Sequence, residues 1–396
     1  MKKRTSLTLI LALGLSIFSS TQSGQCPEEV VEIADRVATW QLNNLDSNDG
    51  IRTFLDRTAD KRGWVRAAFY IGLNRWQVTS PQNKYKEALF RMAEENEWSL
   101  GDRYWHADDQ AMAQVYLALE DADVAPAREA FDRVLAMNPK NSLEFVKPKS
   151  DQSEGGCQQR WCWCDALFMA PPAWMAMSQV TGDERYRDYA VREYRATKDY
   201  LFDLEEKLFY RDSRFFDKRT GFGNKVFWGR GNGWVFAGIP LLLEQLPEGH
   251  AEREYFLETY RAMALTFKTI QTADGLWAPS LLDFDHDPSP ETSGSAFIAF
   301  GLAWGVNHGF LDDELYLPII EKAWRALTSA VDENGKLGWV QQVGNAPDEV
   351  RATDSQFYGV GAFLLAASEI KQLDSRKSGK SIGGLGPCTV TTRSGS

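Results

Sequence analysis

Three short segments of the sequence place charged groups among tryptophans. The first is the run 161–172, Trp-Cys-Trp-Cys-Asp-Ala-Leu-Phe-Met-Ala-Pro-Pro, in which Asp165 has two tryptophans before it and an apolar stretch after it. Apolar surroundings disfavour the ionised form of a carboxyl group, and this suits a general acid that works near neutral pH. The alternative is that Asp165 only caps the helix that follows it.

The second segment, Trp105-His-Ala-Asp-Asp-Gln110, sets His106 beside Asp108 and Asp109. These groups could position a substrate or tune another acid. They could equally form a solvated helix start, where carboxylates are common.

The third segment is Trp228-Gly-Arg-Gly-Asn-Gly-Trp234. A glycine in a helix interior is less favourable than alanine by about 1 kcal/mol, so three of them indicate that something approaches the backbone closely. The planar fork of Arg230 suits a carboxylate ligand. A tight crossing of two helices is the alternative, and no strand precedes the glycines as a nucleotide site would require.

Tryptophan is frequent in the whole chain, with fourteen residues. Aromatic rings that line a cleft can bind sugar faces while polar groups fix the hydroxyls. Several of them lie at predicted helix starts, namely Trp64, Trp105, Trp161, Trp163, Trp228 and Trp234.

The elements that carry these residues are predicted to be helices, because strand patterns are scarce and amphipathic segments recur with turn residues between them. Twelve helices are predicted, over residues 27–43, 63–77, 82–97, 109–119, 124–137, 165–180, 184–202, 229–247, 251–271, 293–309, 312–328 and 354–372.

Even-numbered and odd-numbered helices of this series differ in composition. Segments 229–246 and 293–309 are rich in Gly, Ala and large apolar residues, whereas 184–201 and 251–269 are densely charged. A helix that is apolar on most faces is buried, and a charged amphipathic helix covers it. Six inner and six outer helices in alternation predict an all-α fold, an (α/α)6 toroid in a single domain. A helical solenoid or two separate bundles are the alternatives.

In such a ring the inner helices run in one direction, so their N-termini share a face. Helix N-termini also attract anions. We therefore expect the site on this face, where the predicted inner helices begin with Gly63, Trp64, Asp108, Asp109, Asp165, Gly229, Arg230, Ser293, Asp354 and Ser355.

The ends of the chain differ from the rest. Residues 1–24 join a basic start, an apolar run and small polar residues, which predicts a signal peptide and an exported protein, periplasmic or secreted. A lipoprotein acylated at Cys26 is the alternative. Residues 25–372 are expected to form the catalytic domain, and 373–396, rich in Ser, Gly, Lys and Thr, a disordered tail.

The net charge of −11 argues against nucleic acid or an anionic membrane as a partner. No stretch after the signal peptide is apolar enough to span a membrane. An acidic substrate would need a local basic group. Export permits a disulfide among the clustered Cys157, Cys162 and Cys164, with a zinc site as the alternative. The sequence leaves the disulfide pairing and the oligomeric state open.

Together the three segments resemble glycoside hydrolase family 105, the unsaturated rhamnogalacturonyl hydrolases, with the glucuronyl hydrolases of family 88 as more distant relatives. The resemblance runs from about Trp64 to Asp354 and is most specific in residues 164–171 and 228–234. It implies the (α/α)6 fold and Asp165 as the catalytic acid/base. One of Asp108 and Asp109 would match the second acidic residue, with Asp109 the better match and Asp108 the alternative. If Asp109 is that residue, Asp108 is assigned with His106 to substrate binding.

The resemblance also implies which residues line the sugar site and what they do there. Arg230 would lie near the uronate carboxylate, in a site lined by Trp64, Met169, Trp228 and Trp234. The acid would protonate C4 of a 4,5-unsaturated uronyl residue at the non-reducing end of an oligosaccharide. Water would add at C5, and the hemiketal would open and expel the remaining sugar. One residue that gives and then takes a proton suffices, so the resemblance implies no metal and no cofactor.

One stretch departs from the family. Rhamnogalacturonan-directed members carry a His after a Tyr upstream of the third segment, but this chain has Arg211 after Tyr210, and Arg214 follows. These arginines could hold a sulfate or a second carboxylate, which makes ulvan-type substrates candidates beside rhamnogalacturonan; ordinary surface charge is the alternative. The rival functions are a polysaccharide lyase, an inverting glycosidase or a non-catalytic sugar-binding protein.

Overall fold

The computed structural model describes residues 27–52, 60–80, 84–146 and 156–380. Its helices are α1 (Pro27–Asn43), α2 (Trp64–Thr79), α3 (Lys86–Glu95), α4 (Ala107–Gln110), α5 (Ala113–Tyr116), α6 (Ala125–Met137), α7 (Ala166–Met169), α8 (Pro171–Thr181), α9 (Glu184–Leu201), α10 (Gly229–Gln245), α11 (Arg253–Thr269), α12 (Thr292–Asn307), α13 (Asp313–Ser329) and α14 (Phe357–Lys380). Two short strands, β1 (Phe202–Asp203) and β2 (Leu208–Phe209), pair antiparallel before α10.

Each of the twelve predicted helices has a counterpart in the described chain, and two of them are divided. The predicted helix 109–119 becomes α4 and α5, and the predicted helix 165–180 becomes α7 and α8. The second division falls at Pro171 and Pro172, which occupy the first turn of α8. Proline lacks the N–H that would continue α7 but fits the first turn of a new helix.

The inner helices form a closed ring. Contacts run from α2 to α4 and α5, then to α7 and α8, to α10, to α12 and to α14, and α14 packs back against α2. Outer helices cover this ring, with α1 on α14, α9 on α8, α11 on α10 and α13 on α12. The predicted toroid is thus confirmed, and the ring closes where the first and last inner helices meet.

Glycine allows that closing contact. A Cβ placed on Gly72 of α2 would lie 2.1 Å from the carbonyl oxygen of Gly361 in α14. Any side chain there would push the two helices apart. The inner helix α12 is buried from Thr292 to Val306, whereas the outer helix α9 buries one face, which includes three tyrosines and Glu193, and leaves most of its other charged residues at least partly exposed.

The end of the predicted domain needs a correction. Helix α14 continues to Lys380, eight residues beyond the predicted boundary at 372, and Leu373 is buried. Composition predicted a tail because the polar residues of this stretch outnumber the apolar ones. The structure shows instead that the backbone of α14 continues past its last buried apolar residue of the described side chains, Leu373. The predicted signal peptide, Cys26 and residues 381–396 lie outside the described residues. None of the described helices is long and apolar enough to cross a membrane.

Cys157 and Cys162 form a disulfide within the loop that precedes α7, and Cys164 is a buried free thiol. The bond takes two of the three sulfur atoms that the alternative zinc site would need. In the described part of the chain, no cluster of three or more His, Cys, Asp or Glu residues could hold a metal ion.

Candidate active site

The starts of the inner helices meet at one end of the ring, as predicted. Trp64, the first residue of α2, stacks on Tyr358 of α14 with ring centroids 5.3 Å apart. Its ring also meets Trp234 of α10 edge to face at 6.2 Å. Trp64 is partly exposed, while Trp234 and Tyr358 are buried. Three helices that are distant in sequence therefore build one aromatic wall.

Asp165 precedes α7 directly, but its side chain makes no capping hydrogen bond to that helix. This excludes the alternative in which Asp165 is only a cap. Its Oδ2 lies 3.5 Å from Nε of Arg211, and 12% of the side chain remains exposed. A backbone hydrogen bond of 2.8 Å from Cys164 N–H to the Arg211 carbonyl fixes the two segments side by side. The carboxyl group is thus held next to a cation and stays accessible for chemistry.

Asp108 lies in the short helix α4 and keeps 20% of its side chain exposed. Burial raises the pKa of Asp108 to about 7, and the charges of Asp109 and Asp165 act in the same direction, against Arg103 and Arg211. The effect of Asp165 on this group means that the two carboxyls are electrostatically coupled. An aspartate with such a pKa is protonated for part of the time near neutral pH.

Asp109 is engaged in a different way. Arg103 donates hydrogen bonds to both carboxylate oxygens, and its backbone N–H adds a third at 2.9 Å. The carboxyl group also presses against Gly101, where an added Cβ would lie 2.6 Å from Asp109. The role of Asp109 as second catalytic residue stays a prediction. The structure shows Asp109 paired with Arg103, whereas Asp108 is the carboxyl whose pKa is affected by Asp165.

The raised pKa of Asp108 predicts how the free energy of unfolding depends on pH. The folded pKa of Asp108, about 7, exceeds the ordinary value of 3.8. Between those values the folded chain keeps a proton that the unfolded chain has lost, so stability falls as the pH rises through this window. Asp108→Asn removes that penalty. We expect it to raise the free energy of unfolding by about 2 kcal/mol above neutral pH, after discounting for solvent exposure, and to have little effect near pH 4.

Urea unfolding of the parent and the variant at both pH values measures this difference. Asp109→Asn is the matched control, because it breaks the Arg103 pair and should lower stability at either pH. Parallel stability curves for the parent and Asp108→Asn would contradict the assignment.

His106 supports the Asp108 turn. Its Nδ1 accepts a hydrogen bond of 3.2 Å from the Asp108 N–H and lies 3.7 Å from Asp108 Oδ2. The ring packs against Trp105 and Trp163 at centroid distances of 5.5 and 4.8 Å, and only 3% of the side chain is exposed. His106 therefore packs between two tryptophans and caps the start of α4 at Asp108, and its predicted contact with substrate stays a prediction.

Arg230 does not have the predicted geometry of a carboxylate clamp. It is fully buried, and its Nη1 and Nη2 donate to the carbonyl oxygens of Gln341 and Gln342 at 2.6 and 2.8 Å. The guanidinium lies over the rings of Trp228 and Tyr358 at 4.5 and 4.8 Å. The guanidinium that the sequence predicted to bind a ligand therefore binds the backbone of the loop before α14.

We accordingly expect Arg230→Lys to act mainly on stability. A lysine ammonium is a point charge and cannot span both carbonyls while stacking on two rings. Losing one charged hydrogen bond should lower the free energy of unfolding by about 2 kcal/mol. Denaturant unfolding measures the loss, and substrate titration of the same variant is the control. A raised KM at unchanged stability would instead restore the clamp role.

The glycines around Arg230 serve packing. A Cβ on Gly229 would lie 2.6 Å from the Ala278 carbonyl oxygen, and one on Gly233 would lie 3.0 Å from that of Gly294 in α12. Asn232 binds β2 by accepting from the Phe209 N–H at 2.7 Å and donating to its carbonyl at 3.0 Å. The alternative of a tight crossing therefore accounts for this segment.

The other residues predicted to line the sugar site differ in how far they are buried. Met169, Trp228 and Trp234 are almost fully buried. Trp64, Asp108 and Arg211 reach the surface.

Sequence reasoning did not find the group that links the two arginines. Asp212 is fully buried and accepts hydrogen bonds from Arg211 Nη1 at 2.7 Å and from Arg214 Nε and Nη2 at 2.8 and 2.7 Å. Arg214 lies 3.9 Å above the ring of Phe145 and is 34% exposed. Two cations share one carboxylate, so this cluster has a net positive charge beside Asp165 in an acidic protein.

Comparison with known proteins shows which family the chain resembles. The family model of Glycosyl Hydrolase Family 88 matches residues 33–373. A protein of Alteromonas sp. (strain LOR), named unsaturated 3S-rhamnoglycuronyl hydrolase, is 42% identical over 93% of this chain and 97% of its own length. A protein of Formosa agariphila with the same name is 38% identical over 78% of this chain and 85% of its own.

Solved structures agree on the fold. A family 88 glycosyl hydrolase from Bacteroides vulgatus superposes with a TM-score of 0.74 at 28% identity, covering 88% of this chain and 99% of that one. A structure described as a polysaccharide lyase superposes at 0.73 with 30% identity, covering 88% and 98%. The matched length, the closed ring of helices and the tryptophan-bearing segments lead to one conclusion: the chain belongs to Glycosyl Hydrolase Family 88.

Proposed function

We propose that this glycoside hydrolase removes a 4,5-unsaturated uronyl residue from the non-reducing end of oligosaccharides that a lyase has produced, with Asp165 as the acid and base. The observation that carries the proposal is the carboxyl group of Asp165, which makes no capping hydrogen bond and lies 3.5 Å from Arg211. Its charge also helps to raise the pKa of Asp108. Both carboxyls lie at the face where the inner helices begin. The names of the two relatives support the same activity.

The arrangement suits a reaction with one proton donor. Asp165 gives its proton to C4, and positive charge develops at C5 and the ring oxygen. Water then attacks C5 and returns a proton to Asp165, and the hemiketal opens to release the rest of the sugar chain. Arg211 stabilises the carboxylate form of Asp165 between the two steps. Asp108, which is partly protonated near neutral pH, orders the attacking water without adding a full second negative charge.

For the substrate we propose a sulfated, rhamnose-containing oligosaccharide of the ulvan type. The relatives are named for a 3S-rhamnoglycuronyl substrate. In this chain, Arg211 and Arg214 supply positive charge beside Asp165, where guanidinium groups can bind sulfate or carboxylate oxygens. Rhamnogalacturonan fragments are the second candidate, because the signature segments resemble the enzymes that hydrolyse them.

One assay separates the hydrolase from its main rival. The conjugated double bond of an unsaturated uronyl residue absorbs in the ultraviolet. A hydrolase destroys that absorbance on lyase-digested ulvan, whereas a lyase creates it on the intact polymer. We expect loss of absorbance on the digest and no gain on the polymer. Digests of rhamnogalacturonan and glycosaminoglycans, tested in parallel, rank the substrates.

We further propose that the protein works outside the cytoplasm. A disulfide such as Cys157–Cys162 persists in oxidising compartments and is rare in the cytosol. The apolar run at 7–18, preceded by basic residues, provides the export signal. Fractionation of the producing cells, followed by N-terminal sequencing of the recovered protein, would locate it and show whether the first 24 residues are removed.

A further inference from the structure

The residue before Asp165 touches the catalytic carboxyl. Sγ of Cys164 lies 3.4 Å from Asp165 Oδ2, and the thiol is completely buried. The other two cysteines of the cluster form the disulfide, so Cys164 is a free thiol beside it. Its side chain therefore has a polar contact at the acid itself, in addition to its packing.

The protonation state of Cys164 makes it a hydrogen-bond donor. Burial raises the pKa of the Cys164 thiol well above its usual value, and the charge of Asp165 acts in the same direction, against Arg211. A thiol donates through its S–H, whereas a thiolate would repel the carboxylate. Cys164 thus remains a neutral hydrogen-bond donor over the pH range in which glycosidases work.

Both neighbours of the carboxyl approach the same oxygen. Oδ2 of Asp165 has the Cys164 thiol at 3.4 Å and Arg211 Nε at 3.5 Å. A proton on Oδ2 would face the S–H of Cys164 and the positive charge of Arg211, so the acidic proton is better carried by Oδ1. A donor and a cation at one oxygen favour negative charge there, which leaves the other oxygen to deliver the proton.

We propose that Cys164 is a positioning residue that donates to Oδ2 of Asp165 and so directs the acidic proton to Oδ1. This inference rests on the proposed function of Asp165. The groups that act on Asp165 from the surrounding segments are Cys164, Arg211 and Asp108, and Asp212 acts through Arg211.

The space around Cys164 restricts the choice of variants. A Cβ added at Gly231 of α10 would lie 3.2 Å from Sγ, so larger side chains do not fit. Serine and alanine are both smaller than cysteine and leave similar gaps. They differ by one hydroxyl group, so the pair isolates the hydrogen bond from the packing.

The experiment compares kcat and KM for the parent, Cys164→Ser and Cys164→Ala on an unsaturated disaccharide. Without a donor on Oδ2 the acidic proton is no longer directed to Oδ1, so the chemical step suffers and binding does not. We expect Cys164→Ala to reduce kcat about 3–10-fold at nearly unchanged KM, as loss of one hydrogen bond would. Cys164→Ser should restore the kcat of the parent, because its hydroxyl group can donate in place of the thiol.

Two results would overturn the inference. One is a kcat for Cys164→Ala that equals that of the parent. The other is an equal change in Cys164→Ser and Cys164→Ala, which would assign the residue to packing alone. The parent enzyme separates this test from the proposed function, since a parent without activity on any unsaturated oligosaccharide would refute the function itself.

Discussion

Asp165→Asn is expected to leave the fold intact and to abolish nearly all turnover. An amide of the same shape keeps the packing around α7 but cannot deliver a proton. Loss of a positioned acid typically reduces the rate by about 10²–10⁴-fold. Because the Asp165 side chain makes no capping hydrogen bond to α7, its removal should not affect helix stability.

The measurement is kcat from the disappearance of the ultraviolet absorbance, with circular dichroism to verify folding. Asp188→Asn on the outer helix α9 is the control, since that carboxylate is largely exposed and belongs to the outer layer of helices. KM should change less than kcat, because the carboxyl acts on the reaction and not chiefly on binding. A folded Asp165→Asn protein with more than about a tenth of the parent activity would remove Asp165 from the mechanism.

Helix periodicity and composition together predicted the architecture of this protein, and the structure decided for the toroid against a solenoid or two separate bundles. The inner helices are apolar on nearly every face and the outer ones are charged on one side. This difference can be read from the residues of each helix alone. Helix α12 shows the reason, since burial of almost its whole surface leaves no position for charge. What composition did not reveal was where helices divide or end. The break before Pro171 and the extension of α14 beyond Leu373 depend on single residues.

The site was harder to predict than the fold, and Arg230 illustrates why. Its glycine-flanked position indicated close approach, and close approach occurs, but by the backbone of Gln341 and Gln342, more than a hundred residues away. Sequence spacing reports which groups start a helix. It does not report which distant loop crosses them.

Asp108 and Asp109 present the same problem in one dipeptide. Adjacent residues at a helix start point in different directions, so which of them pairs with Arg103 is decided by the turn before α4. The buried Asp212 went unnoticed because one acid between two arginines looks like surface charge. In the structure it pairs with both guanidinium groups, of which that of Arg211 lies 3.5 Å from Asp165.

The two arginines bound to Asp212 should nevertheless behave differently when each is removed. Arg211 lies 3.5 Å from the carboxyl group of Asp165, and its side chain is 15% exposed. The side chain of Arg214 is 34% exposed and stacks on Phe145. Losing Arg211 disturbs the catalytic carboxyl, so Arg211→Ala should reduce kcat/KM for every substrate. Arg214 has the more accessible guanidinium, which suits a group on the neighbouring sugar.

We therefore expect Arg214→Ala to discriminate between substrates. A charge-assisted hydrogen bond to sulfate contributes about 1.5–3 kcal/mol, which corresponds to a loss of about 10–100-fold in kcat/KM on the sulfated disaccharide. An ordinary exposed ion pair contributes only about 0–1 kcal/mol and could not distinguish the substrates. The comparison uses one unsaturated disaccharide with and without its sulfate. Arg219→Ala is the matched control, because Arg219 lies in the same connection, is exposed and donates to backbone carbonyls. Equal losses on both forms would show that Arg214 does not read sulfate, and rhamnogalacturonan fragments would then become the preferred substrate.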